Sequence, residues 1–109
     1  MSFAQGDLIV FDFSPTLGHE PTGRRPSLVV SSDFFNASTS MTMVCPITST
    51  DNGFPLHFKL PDNLKIQGFI VSEQVRGLDL NARQAKKLDE LDCNGPTMKS
   101  VLECIRSFF

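Results

Sequence analysis

Between Gly18 and Pro26 the chain reads Gly-His-Glu-Pro-Thr-Gly-Arg-Arg-Pro, which puts one imidazole, one carboxylate and two guanidiniums into positions 19–26. These are the groups of proton and anion chemistry. His19 can exchange a proton near neutral pH, with an unperturbed pKa of about 6.5, and Glu20 can share that work. Arg24 and Arg25 can each fork onto phosphate oxygens. Glycine at both flanks and two prolines make the stretch a loop with a defined path and not a helix. A plainer reading of the same residues stands beside this one: a solvent-facing His19, and a solvated strand entrance at Arg24-Arg25 paired to Glu20. Two further stretches carry candidate groups. Thr48 and Ser49 open a turn, where a hydroxyl commonly serves the backbone, and Glu73-Gln74-Val75-Arg76 adds an acid, an amide and a third guanidinium.

Such groups need rigid strands to hold them. Residues 6–13 are β-branched and aromatic, bounded by Gly6 and Pro15, and predict a buried strand. The loop of 14–26 follows, then a strand at 27–31. Ser32 is placed to cap a short helical turn through Asn36. Residues 41–47 predict a strand in which Pro46 forces a bulge or an end, and Asp51-Asn52-Gly53 gives turn chemistry. Phe54, Leu56, Phe58 and Leu60 alternate as in a half-buried strand. Phe54 suits either a core position or a stacking platform beside the turn. Residues 68–71 predict another strand, and 84–90 a final one. Asn94 or Thr97 is expected to cap a last helix with Pro96 in its first turn. On that helix Met98, Val101, Leu102, Ile105 and Phe108 form one apolar stripe. Five or six short strands and a terminal helix predict a mainly β single domain over 1–109, a strongly bent antiparallel sheet or small barrel.

Size and charge narrow the possibilities. At 109 residues the chain can build one core. The apolar runs are too short to span a bilayer and the first residues lack a signal peptide's basic start, so a cytoplasmic protein without a membrane partner is expected. Cys45, Cys93 and Cys104 are odd in number, without a framework spacing or a CxxC pair, which suits a reducing compartment and predicts no zinc site. The net charge of −2 does not advertise a nucleic-acid binder, yet residues 24–88 hold eight basic and five acidic side chains. A small basic groove on an acidic protein can take a short single strand.

Several stretches in order then resemble one family. They are Gly6-Asp7, Asp12-Phe13-Ser14-Pro15-Thr16, Gly18-His19-Glu20, Gly23-Arg24-Arg25-Pro26, Pro46-Ile47-Thr48-Ser49 and Gly53-Phe54-Pro55, followed by Glu73-Gln74-Val75-Arg76 and Asp79-Leu80-Asn81-Ala82-Arg83. Their joint order and spacing resemble MazF/PemK-type toxins from about Gly6 to the end. The resemblance implies an SH3-like small barrel of the PemK/CcdB type with a C-terminal helix. It also implies a homodimer and a metal-independent, sequence-selective endoribonuclease of a toxin–antitoxin system, with no cofactor. It puts Arg25, Thr48, Glu20 and His19 at catalytic positions and Arg24, Ser49, Phe54, Glu73, Gln74 and Arg76 along the substrate. Pro21 stands where glutamine is more usual in the family, Phe11 where tryptophan is common, and Glu73 where the acid is usually aspartate. These departures bear on which RNA sequence is preferred.

The chemistry implied is consistent with those residue types. RNA carries its own nucleophile, the 2′-OH beside the scissile phosphate, which DNA lacks. An enzyme has to take that proton, stabilise the crowded phosphorane and protonate the leaving 5′-oxygen. Arg25 suits the charge and Thr48 a hydrogen bond to the same phosphate. The arginine is a poor proton carrier, since its pKa above about 12 leaves almost no neutral form at pH 7. Which of His19, Glu20 and Glu73 moves the proton is left open. The expected products end in a 2′,3′-cyclic phosphate and a 5′-OH. The expected partners are single-stranded RNA, a second copy covering the exposed Phe108-Phe109 end, and a cognate antitoxin whose acidic extended tail competes for the basic groove. Two other readings fit the same fold: a CcdB-like gyrase poison and an SH3-like peptide-binding adaptor. The first acts through C-terminal residues that include a tryptophan, and this chain has none.

Overall fold

The computed structural model of the protein describes residues 2–12 and 24–109. Its elements run β1 (Asp7–Asp12), β2 (Arg24–Val29), α1 (Asp33–Ser38), β3 (Thr42–Thr48), β4 (His57–Lys59), β5 (Phe69–Val71), β6 (Arg76–Leu78), β7 (Lys86–Glu90) and α2 (Pro96–Arg106). A 3₁₀ turn at Ser72–Gln74 links β5 to β6, and another at Leu80–Ala82 follows β6. The strands are hydrogen-bonded in the order β4-β5-β3-β2-β1-β7, with β6 also pairing β3, and every pairing is antiparallel. The mainly β domain with a C-terminal helix is thus present. Its strands form an open, bent path whose end strands are tied by a side chain: the Lys65 N–H, in the loop after β4, donates to Asp89 Oδ2 on β7 at 2.8 Å. No helix among the described residues is long and apolar enough to cross a membrane.

Strand β2 begins three residues before the expected strand at 27–31. Its register with β1 runs from Leu8–Leu28 to Asp12–Arg24, so Arg24, Arg25 and Pro26 are ladder residues rather than loop. Pro26 is tolerated because β3 pairs β2 only from Ser27 onward, leaving β2 with a free edge there. Pro46 likewise neither ends β3 nor bulges it. It lies between the stretch of β3 that pairs β6 (Thr42 to Val44) and the stretch that pairs β5 (Ile47 and Thr48), where a missing N–H costs no ladder bond on that side. The alternation over 54–60 yields only the three residues of β4; 54–56 form the approach to it. Residues 76–78, for which the sequence predicts no strand, form the short strand β6 along β3.

Strand alternation divides the apolar residues between two faces. On one, Leu8, Leu28, Cys45, Ile47 and Ile70 pack under Met98 and Val101 of α2. On the other, Ile9, Phe11, Val29 and Val44 gather with Leu78 and Leu80. Burying each such side chain contributes about 1.5–3 kcal/mol, which is why the central strands are the rigid part. Helix α2 opens at Gly95 with Pro96 in its first turn and no side-chain cap, so neither Asn94 nor Thr97 caps it. Its stripe is buried at Met98 and Val101 and half-buried at Leu102 and Ile105; Phe108 is partly exposed and Phe109 wholly so. Ser32 does cap α1, its Oγ accepting the Phe35 N–H at 3.2 Å.

Candidate functional site

The register of the three central strands decides which candidate groups share a face. Strands β2 and β3 pair as Ser27–Pro46, Leu28–Cys45 and Val29–Val44. Continued by two residues, that register sets Arg25 opposite Thr48, beyond the last hydrogen-bonded pair, where the strands become two lips of an edge. On β1, Arg25 faces Phe11. The row from Phe11 through Arg25 to Thr48 therefore lies on the face opposite α2, fully buried at Phe11 and open at Arg25. Its fourth member is Phe69, which pairs with Thr48 across β3 and β5.

Adjacent arginines on one strand point to opposite faces, and Arg24 is committed elsewhere. Its Nη1 donates to Asp12 Oδ1 at 3.4 Å and its Nη2 to the Gln84 carbonyl at 2.8 Å. Of the two adjacent guanidiniums, only Arg25 shares a face with Thr48. Among the described residues Arg24 forms an ion pair with Asp12, while the pairing expected with Glu20 lies outside them. His19 and Glu20 lie outside the described residues, in the segment that joins β1 to β2.

Thr48 is held from two sides. Its Oγ1 accepts the Thr50 N–H at 3.2 Å, the turn-starting role foreseen for it. An oxygen that accepts in this way keeps its own O–H to donate, so the structural and chemical roles are compatible. Gly68, at φ +142°, lets β5 press against the end of β3: a Cβ there would stand 2.5 Å from the Thr48 carbonyl oxygen. Any other residue would push Thr48 out of line. Beyond Thr48, Ser49 is exposed. Asp51 Oδ1 then takes the Gly53 N–H and Asn52 Oδ1 the Phe54 N–H, which sets the path of the turn.

The second cluster stands where β4 meets the 3₁₀ turn. Glu73 Oε2 is 2.9 Å from Nε2 of His57, and a carboxylate only accepts, so the imidazole donates. The His57 side chain is 10% exposed and that of Glu73 33%. The His57 Nδ1 is buried and has no hydrogen-bond partner among the described residues. The ring of Phe54 meets the His57 ring edge-on, 5.1 Å between centroids, and keeps 43% of its own surface exposed. Phe54 is thus a turn residue and not core, although its alternation with Leu56 and Phe58 allowed either. Gln74 and Arg76 follow Glu73 half-buried, Arg76 opposite Val44 on the face that carries Arg25. Ser27, next along β2 on that face, is fully buried, and its hydroxyl has no partner among the described residues.

His57 escaped the sequence reading because it sits in an alternating run as an unremarkable polar position. Its one legible signal is the aromatic three residues earlier and an acid sixteen later, which no local pattern connects. Burial above all pushes the Cys45 thiol up to about 12, with Cys104 and the Glu73 charge adding to it, so Cys45 stays protonated at neutral pH and serves packing. Among the described residues no three His, Cys, Asp or Glu side chains gather as a metal site.

Comparison with known proteins finds one family across the chain. Residues 4–109 match the family described as PemK-like, MazF-like toxin of type II toxin–antitoxin system. The chain is 42% identical over 94 residues to the endoribonuclease toxin ChpB of Escherichia coli K12, covering 79% of this chain and 78% of that one. The crystal structure of MazF (Form-I) from Deinococcus radiodurans superposes with a TM-score of 0.89 at 32% identity, covering 99% of this chain and 96% of that one. The MazE-MazF (Form-II) structure from the same organism gives 0.81 at 29% identity, covering 99% and 95%. Since the match runs through both lips of the edge, the sheet beneath them and the helix behind it, the chain belongs to the PemK-like, MazF-like toxins of type II toxin–antitoxin systems.

Proposed function

We propose that this chain is a single-domain, metal-independent endoribonuclease toxin that cuts single-stranded RNA by letting the ribose attack its own phosphate. The observation that supports this most is the β2–β3 register, which, continued past Ser27–Pro46, sets Arg25 opposite Thr48 on the face the helix leaves open. An RNA phosphate set between them receives the forked guanidinium of Arg25 on its non-bridging oxygens and the Thr48 hydroxyl as a second donor. As the 2′-oxygen bonds to phosphorus and the bond to the 5′-oxygen breaks, negative charge grows on the oxygens these donors face. Donors fixed beforehand are worth most at that moment. The proton leaving the 2′-OH goes to a base, and the leaving 5′-oxygen takes one from an acid. Glu73 is engaged by His57 at a distance from Thr48, which favours His19 and Glu20, in the segment leading into Arg25, as the groups that move these protons. No metal is needed, because the substrate supplies the nucleophile and Arg25 the charge.

In this reading the protein works in the cytoplasm as a twofold homodimer. The exposed Phe108 and Phe109 are then covered by the second copy, and two sites are presented on one face. Its ChpB and MazF relatives are endoribonuclease toxins by name, and a MazE-MazF complex is among its structural neighbours. The corresponding partner here is an antitoxin whose acidic extended tail occupies the groove beside Arg25 and Arg76.

The test is incubation of the purified protein with a long defined transcript and a chelator, followed by mapping of both new ends. The expected result is cleavage with 2′,3′-cyclic phosphate and 5′-OH ends, and no cutting of the matching DNA. Ends bearing 5′-phosphate, or DNA cut as readily as RNA, would overturn the reading.

A further inference from the structure

The His57–Glu73 pair joins a nearly buried imidazole to a partly exposed carboxylate, and the cleavage chemistry does not use it. Strands β3, β5 and β4 place it. Thr48 pairs Phe69, which pairs Lys59, and the next row on the same face runs from Pro46 through Val71 to His57. Two strand spacings and one pleat put His57 about 12 Å from Thr48 on that shared face. That is too far to exchange a proton with a phosphate at Thr48, and within reach of a base on a neighbouring nucleotide. The chemistry present there is that of base recognition. Phe54 offers an exposed ring beside the turn, and single-stranded RNA bases stack on such rings. Glu73 has one oxygen taken by His57, while a third of its side chain faces solvent. A carboxylate so fixed accepts from an amino group on a base edge and repels a carbonyl at the same place.

We propose that His57 is a positioning residue: it locks the Glu73 carboxylate as the acceptor for the amino edge of one unpaired base near the cut, with Phe54 as that base's stacking platform. The inference rests on the endoribonuclease reading. The ring itself contacts no substrate. With its side chain nine-tenths buried, wedged against Phe54 and donating from Nε2, it removes the rotamer freedom an isolated glutamate would keep. The buried Nδ1 without a partner is a cost tolerated at a functional position.

The experiment compares wild type, His57→Phe and His57→Gln on one long transcript with cut sites sequenced, then on short RNAs differing at a single nucleotide. His57→Phe keeps the ring and loses the donor; His57→Gln keeps an N–H that can reach Glu73. Expected is a preference for an amino-bearing base at one position, weakened about tenfold in His57→Phe and largely restored in His57→Gln. Cutting at sites that already lack the preferred base should be unchanged, which a general loss of structure would not give. On wild type, RNA with that one base replaced by its analogue without the amino group (inosine for guanosine, purine riboside for adenosine, 4-desamino for cytidine) should be cut about tenfold less, a result independent of whether the variants fold. Unchanged base preference in His57→Phe, or equal cutting of the analogue RNA, overturns the assignment while leaving the cleavage reading intact. Wild type that cuts no RNA overturns both.

Discussion

The two faces of the sheet are built from alternate residues of the same strands and have opposite characters. The face under α2 is closed where the helix covers it: Leu8, Leu28, Cys45, Ile47, Ile70, Met98 and Val101 are all buried. The other face is apolar only over its lower half, around Ile9, Phe11, Val29 and Val44. Past that cluster, the same β2 and β3 present Arg25 and Thr48, and β4 presents His57. One set of hydrogen bonds thus serves both stability and chemistry. The difference teaches that a site on this fold is the uncovered continuation of a core ladder, so its geometry is as rigid as the core and its side chains are free to be polar.

The sharpest way to break the comparison is to remove a side chain from the open face and look for an effect on stability. Arg25→Ala should lower cleavage by about 10²–10³-fold and leave the thermal midpoint within the scatter of surface substitutions. Arg25→Lys should recover only part of the activity, since it restores charge without the fork. The reverse experiment is Met98→Ala under α2. It should cost about 2–5 kcal/mol in urea unfolding, with cleavage per folded molecule unchanged. A Met98→Ala protein that unfolds like wild type, or an Arg25→Ala protein that melts early, would mean that the faces are not separable.

Smaller effects sharpen the boundary. Thr48→Ala removes one donor to a charged group and should slow cleavage by about 10–10²-fold, whereas Thr48→Ser should approach wild type. Equal losses in both would assign Thr48 to the turn through its methyl packing instead of its hydroxyl. The smallest effect lies at the sheet's two ends, which Asp89 ties together. The Lys65 N–H first, and the Glu90 N–H next, hold the Asp89 carboxyl below its ordinary value of 3.8. A carboxyl lowered by folding stabilises the fold above its ordinary range, and that contribution is lost as the pH falls through the lowered value. Asp89→Asn should therefore lower the thermal midpoint slightly at neutral pH, and the gap from wild type should close in acid. A gap that persists or widens in acid would point to a packing role for Asp89.

Much of this was legible in the chain, and where reading failed the cause is specific. The Ser32 cap, the turn at Asp51-Asn52-Gly53 and the terminal helix follow from neighbours in sequence, and the structure has them. Strand ends were misjudged where pairing partners decide them: Arg24 to Pro26 join β2 because β1 continues beside them, and Pro46 stays within β3 because β6 and β5 change places there. Arg24 and Arg25 look equivalent as a string. Alternation and the bond of Arg24 to Asp12 separate them.

By itself, then, the order of residues determined the chemistry on offer and the apolar periods that raise the strands and α2, since both depend on side-chain type and short-range spacing. Only the tertiary structure decided which of those groups meet. Arg25 and Thr48 are 23 residues apart and His57 and Glu73 are sixteen apart. Their meeting is set by ladder register and by the close approach at Gly68, and these arise only when the whole sheet closes over its core.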